Sequence, residues 1–157
     1  MEKVGIMLDL EAIELIKQLK GRYFRFTDTG DLAGIQSVFS ADGEAYFKGG
    51  DYEFSLKGWP QIEAFYKEAF TPTKFGMHHG HHPEITVSGD NATGIWYLQD
   101  IFINLEDNTT LRGSALYEDR YKKIDGEWRI DYTGYKRLYE EIEQRDERVK
   151  ITVKPIN

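Results

Sequence analysis

Residues 84–139 read EITVSGDNATGIWYLQDIFINLEDNTTLRGSALYEDRYKKIDGEWRIDYTGYKRLY. Four runs rich in Ile, Val, Thr, Tyr and Trp, at 84–88, 92–105, 111–123 and 127–139, are divided by Ser88-Gly-Asp-Asn91, Glu106-Asp-Asn108 and Ile124-Asp-Gly126. Such side chains suit a pleated, half-buried surface, and the short polar breaks supply turn chemistry. Asp125-Gly126 is the strongest of the breaks, because a two-residue hairpin turn needs residues that accept positive φ. The stretch therefore predicts a long antiparallel meander.

Upstream the period changes. Ile13, Ile16, Leu19, Tyr23 and Phe26 recur at three- and four-residue steps, with Asp9 placed to cap a helix. Thr27-Asp-Thr-Gly-Asp31 breaks it, and Asp31 caps a short helix burying Leu32, Ile35, Val38 and Phe39. Ala45–Phe47 and Tyr52–Leu56 form a weaker hairpin around Gly49-Gly50, and a third helix starts at Gly58-Trp-Pro60 with Ile62, Phe65, Tyr66 and Ala69 on one stripe. Helices, hairpin, helix and meander in that order predict an α+β fold. Residues 1–157 read as one domain, with a charged C-terminal extension from about 140 that is expected to lie on the surface or against a neighbouring subunit.

Composition narrows the function classes. Ten Tyr, nine Phe and three Trp favour a sheet protein holding something flat and apolar, although an aromatic core alone accounts for them equally well. With no cysteine, disulfides, thiolate catalysis and cysteine-based metal centres are excluded. A net charge of −7 argues against a nucleic-acid partner, since phosphates are met by a basic surface. Met1 to Leu10 shows no basic segment followed by a long apolar run, and no segment reaches the roughly 20 apolar residues of a membrane span. The expectation is a cytoplasmic protein.

All four histidines fall in Met77-His-His-Gly-His-His82. A metal site is one reading, but the helical i, i+4 pair with its acidic partner is missing, so no metal is expected. Rings that fill space beside Trp or Tyr are a second reading. The third is acid–base work by one imidazole, with a carboxylate to fix its tautomer. Asp100 is one candidate: period two puts it on a face with Trp96, Leu98 and Phe102, where an isolated charge would be costly, so a buried and partnered carboxylate is expected. Tyr23 points inward at helical spacing, and Asp28 either faces the same cavity or ends the helix. In the last strand Arg129, Asp131, Thr133, Tyr135 and Arg137 share one parity, which fits solvent, an interface or a pocket floor.

Four further stretches carry a resemblance: Met77-His-x-Gly-His-x-Pro-Glu-Ile85, Ala92-Thr-Gly-x-Trp-Tyr-Leu-x-Asp100, Tyr121-x-Lys-Ile-Asp-Gly-x-Trp128 and Thr133-Gly-Tyr-x-Arg-x-Tyr-Glu-Glu141. Taken with Ala12-Ile and Gln18-Leu-Lys-x-x-Tyr-Phe-Arg25, they resemble the SnoaL-like, or nuclear transport factor 2-like, superfamily, which includes scytalone dehydratase, steroid Δ-isomerase and polyketide cyclases. Within it they are most similar to the bile acid 7α-dehydratases, over about residues 10–150. The resemblance implies a cone-shaped, cystatin-like fold and a cofactor-independent dehydratase acting on a hydroxylated 3-oxo-Δ4 steroid, as free acid or coenzyme A thioester. It implies Tyr23, Asp28, His78 and Asp100 as catalytic positions and Arg137 as a pocket arginine, and Phe47, Trp96 and Phe102 are expected as substrate contacts. It also implies a homo-oligomer, a trimer ahead of a dimer. An isomerase or cyclase in the same pocket, or a non-catalytic binding or assembly module, are the alternatives.

The sequence departs from the resemblance in two places. His79 stands beside His78 where an apolar residue is expected, and the hairpin through Tyr46-Phe47 and Gly49-Gly50 does not align cleanly. Simple alternation also gives His78 the parity opposite to Ile85 and Val87, so a kink at Gly80 or Pro83 must reset the phase if His78 is to face inward.

Overall fold

A computed structural model describes residues 7–157 of the chain; the first six residues, part of the stretch read for a leader, lie outside the described residues. Three helices, α1 (Leu10–Asp28), α2 (Leu32–Val38) and α3 (Trp59–Ala69), pack on a curved sheet of β1 (Phe39–Lys48), β2 (Glu53–Lys57), β3 (Lys74–Ser88), β4 (Asn91–Asn104), β5 (Thr109–Ile124) and β6 (Glu127–Gln144). Strand order is β2-β1-β6-β5-β4-β3. The meander β3 to β6 and the β1–β2 hairpin are antiparallel, but β1 joins β6 in parallel, so the sheet is mixed. This is the α+β cone of cystatin-like proteins.

The helix starts follow from capping. Asp9 accepts from the Ala12 amide at 3.0 Å and Asp31 from the Gly34 amide at 2.8 Å. The inward stripe of α1 is rotated from the one its aliphatic spacing suggests. Ala12, Ile16, Leu19, Tyr23, Phe24 and Thr27 are buried with Lys20, while Ile13 and Phe26 sit at the margins.

One further boundary differs from expectation. Strand β6 runs on to Gln144, because Glu140 to Gln144 pair with Gly113 back to Thr109; the charged end of the chain thus begins inside the sheet. The tail beyond it returns to its own chain, with Lys154 Nζ donating to the Pro72 carbonyl at 3.1 Å and Ile156 seated against Gly30.

Beneath the helices lies a buried polar network. Lys20 and Asp119 are fully buried and paired at 2.8 Å, and Lys20 Nζ also donates to Thr133 Oγ1 at 3.0 Å. Thr133 and Tyr121 donate to the two Asp119 oxygens at 2.7 and 2.6 Å, and Trp96 Nε1 donates to Tyr121 at 3.0 Å. Burial pulls the Lys20 ammonium below its ordinary value, and Asp119 opposes that pull. The ammonium also stands 3.6 Å from the Tyr117 ring centroid, a cation–π contact in a dry setting.

Because removing one member of such a pair strands the other charge, Lys20→Met and Asp119→Ala should each lower stability by about 3–5 kcal/mol. The Lys20→Met/Asp119→Leu double variant should lose less than the sum. Urea denaturation of the three variants checks both statements.

Candidate active site

The phase problem in β3 is solved by a bulge. His78 pairs with Asp100 and His81 with Tyr97, but Glu84 pairs with Ile95, so the ladder gains an extra residue between His81 and Glu84. His82 there adopts a φ of 46°. From Gly76 to Gly80 the even-numbered residues face inward, and from Pro83 onward the odd-numbered ones do. His78, Ile85 and Val87 therefore share the inner face.

Gly80 is the second condition. A Cβ on it would lie 2.4 Å from the Phe24 ring. Without one, Phe24 packs down and stacks on His78 at 5.7 Å with an interplanar angle of 11°, while Phe70 closes the other side at 5.9 Å. Asp28, in the last turn of α1, then fixes the ring. Its Oδ1 lies 2.5 Å from His78 Nδ1, and its Oδ2 accepts from the His78 amide at 3.0 Å. A carboxylate at Nδ1 holds the proton there and leaves Nε2 as the unshared nitrogen. Met77 and His79 point to the outer surface, and among the described residues no three His, Asp, Glu or Cys side chains converge as a metal-binding group.

His78 lines a cavity of about 370 Å³, within the range of small-molecule sites. Tyr23, Asp100, Arg137, Phe47 and Phe102 line it too. Asp28 stands behind His78 in an open cleft beside α1 and does not enter the cavity wall. Trp96 also stays out of the wall. It has the inward parity expected of it, but fully buried Leu98 separates it from Asp100, and its indole is tied into the Tyr121–Asp119 network. The expected substrate contact at Trp96 is therefore a core residue.

Asp100 is buried and held by Arg137, whose two terminal nitrogens take its two oxygens, NH2 at 2.8 Å to Oδ2. Gly113 lies between the two on β5, where a Cβ would come within 3.0 Å of the guanidinium. Arg137 Nε also donates to the Tyr52 hydroxyl at 2.9 Å and faces Glu140 at 3.3 Å. Burial is the strongest single influence and works against its charge, but the hydrogen bonds and charge of Asp100, together with the Tyr135 and Tyr52 phenols, outweigh it and raise its pKa, so the group stays cationic. The polar parity in β6 breaks in two. A bulge at Asp131 leaves Arg129 and Asp131 outside and turns Thr133, Tyr135 and Arg137 inward.

Two phenol pairs complete the wall: Tyr23 with Tyr66 at 2.7 Å, and Tyr52 with Tyr135 at 2.9 Å. Tyr117 lies between, edge-on to both Tyr23 and Tyr135. Burial pushes Tyr23, Tyr66, Tyr117 and Tyr135 well above the ordinary phenol value, so they act as donors throughout the neutral range. Sequence reasoning placed Tyr66 on a buried stripe but not its hydroxyl, and it missed Tyr52 and Tyr117. Helical spacing reveals that a ring points inward; a partner 43 residues away is set by the tertiary fold.

A family model for the SnoaL-like domain matches residues 8–133. The fold is similar to the LinA-type3 hexachlorocyclohexane dehydrochlorinase of Novosphingobium barchaimii, with a TM-score of 0.77 at 19% identity over 90% of this chain and 97% of that one. It is similar to a protein provisionally described as a scytalone dehydratase from Novosphingobium aromaticivorans, with a TM-score of 0.74 at 16% identity over 90% and 97% of the two chains. An NTF2-like protein with a cystatin-like fold from the same species superposes with a TM-score of 0.66 at 21% identity over 82% and 83%. Identities at this level establish a shared fold.

The buried phenols set an alkaline limit. Below the ordinary phenol value of 10.0 both folded and unfolded chains keep the protons, and no stability is lost. Above it the unfolded chain releases protons that the folded chain retains, so stability falls by about 1.4 kcal/mol per pH unit for each such phenol. Lys20 has the opposite sign, but its gain ends near 10.5. Urea midpoints should therefore hold steady up to about pH 10 and drop steeply beyond it.

Proposed function

Since this chain belongs to the SnoaL-like domain family, we propose that its cavity eliminates water, without a cofactor, from a hydroxylated 3-oxo-Δ4 steroid such as a 7α-hydroxy bile acid intermediate. The observation that carries this reading is His78, held from behind by Asp28, in the wall of an aromatic cavity that Tyr23 also lines. Elimination needs a base for a carbon-bound proton, a donor for the departing hydroxyl and donors where enolate charge develops. His78 Nε2 takes the proton from the carbon between enone and carbinol. The electron pair enters the enone as a dienolate; as the pair returns, the carbon–oxygen bond breaks and the hydroxyl takes the proton back from His78 Nε2, leaving as water and restoring the neutral imidazole. Tyr23 hydrogen-bonds a substrate oxygen.

The contact at Nδ1 supports Asp28 as the residue that orients His78. Asp100 is committed to Arg137, which supports a role for that pair in shaping the polar wall beside His78. The names of two fold neighbours, a dehydrochlorinase and a scytalone dehydratase, support elimination as the reaction class. The rings of Phe47 and Phe102 suit a flat, apolar skeleton. On the outer face of the sheet Ile95, Tyr97 and Leu116 are 41%, 45% and 37% exposed, which supports self-association, with a trimer as the expected number.

Incubation with a 7α-hydroxy-3-oxo-Δ4 bile acid, as free acid and as coenzyme A thioester, should produce the longer conjugated chromophore in the ultraviolet. His78→Ala and Tyr23→Phe should each reduce kcat by at least about 100-fold with the circular dichroism spectrum unchanged, the usual weight of a general base or an oxyanion donor. Near-full turnover by both variants ends the assignment. Asp28→Asn, which keeps the shape but loses the charge at Nδ1, should lower kcat more than it raises KM.

A further inference from the structure

Of the four imidazoles on β3, only that of His78 enters the cavity wall. Asp28 holds its ring, and among the described residues no carboxylate lies within ion-pair distance of His79, His81 or His82. His79 and His82 are exposed and His81 is half-buried, all on the edge strand of the sheet. The chain around them carries a net charge of −7, which favours cations over anions at its surface.

The helical i, i+4 pair missing from this run has a counterpart in a strand. Residues two apart on a strand share a face, with Cα atoms about 6.5 Å from each other. His79 and His81 stand in that relation, opposite Gln99 and Tyr97 of β4, and the bulge falls after them. Their ring centroids are 6.0 Å apart, with an interplanar angle of 73°. With metal–nitrogen bonds of about 2.0 Å, two imidazoles on one ion hold their centroids about 4.5–5 Å apart, so this pair closes with roughly 1 Å of side-chain movement. Both residues border the open cleft beside α1, which gives an ion a way in from solvent; Arg25 and Asp28 border it too, and their charges oppose each other. His82 brings its ring to 5.9 Å from that of His81, but it does not border the cleft, and the three rings do not converge on one point.

We propose that His79 and His81 chelate one divalent late transition-metal ion, Cu2+ ahead of Ni2+ and Zn2+, at the edge of the sheet. Imidazole suits all three ions, and affinity among them peaks at copper. Ca2+ and Mg2+, which take oxygen ligands, are not held. Two protein ligands leave the other coordination positions to water or to a small oxygen or nitrogen donor. The site is independent of the elimination reading, because neither ring lines the cavity and His78 keeps its carboxylate.

Calorimetric titration with CuCl2 in a non-coordinating buffer should give one ion per chain, with Ni2+ and Zn2+ weaker and Mg2+ silent. Pulsed electron paramagnetic resonance of the Cu2+ complex should count two equatorial imidazoles. His79→Gln and His81→Gln should each weaken Cu2+ binding at least about tenfold, since loss of even a partner behind a metal ligand costs roughly 10- to 100-fold, and should reduce the count to one. His82→Gln and His78→Ala should keep both imidazoles and most of the affinity. The metal-free His79→Gln/His81→Gln variant should match the metal-free wild type in circular dichroism, so that lost binding reads as lost ligands. Wild-type affinity in that double variant, disappearance of the two-imidazole signal in His78→Ala, a loss in His82→Gln equal to that in His79→Gln, or half an ion per chain would each overturn the chelate.

Discussion

The carboxylate of Asp28 grips one residue of another element twice, once through the ring and once through the main chain. A single contact to the imidazole would leave the strand free to slide under it, and a single contact to the amide would leave the ring free to turn. With both, the C-terminal turn of α1 is registered against β3 at His78. Everything that faces the cavity from α1, including Tyr23 and Thr27, is thereby set at a fixed height against everything that faces it from β3 and β4. The stacking of Phe24 on the imidazole, with Phe70 tilted against it, restricts what rotation of the ring remains.

That arrangement depends on a local irregularity in β3. A regular strand could not present both His78 and Ile85 to the interior, since seven residues separate them and alternation puts them on opposite faces. The extra residue between His81 and Glu84 lets a cavity-lining segment and a core segment share one strand. β6 uses the same device at Asp131, so that Trp128 and Ile130 pack the core while Thr133, Tyr135 and Arg137 reach the network and the cavity.

Much of this was legible in the residues. Turn chemistry placed the meander, capping placed α1 and α2, and the parity mismatch around Gly80 and Pro83 marked where a kink is needed if His78 faces inward. The partners of the buried charges were harder to read, yet a signal existed. Lys20 falls on the inward stripe of α1 between Leu19 and Tyr23, and Asp119 shares inward parity with Tyr117 and Tyr121 on β5. Opposite charges on two faces that must meet call for each other. Trp96 misled because parity names a face, while the cavity occupies only one end of that face. The phenol pairs had no local signal, since each joins residues far apart in the chain. The parallel seat of β1 beside β6 was likewise hidden, because a chain leaving one edge of a hairpin carries no mark of where it docks.

The link from Tyr52 to Arg137, with the Gly50 amide donating to Glu140 at 3.2 Å, ties the bend between β1 and β2 to the Asp100–Arg137 pair in the cavity wall. The carboxylate that grips His78 and the bend tied to Arg137 are thus drawn from separate stretches of chain. That bend can be lengthened or trimmed while the imidazole and its carboxylate go untouched. Diversity of diet and constancy of chemistry are, in such a scaffold, written on different pages.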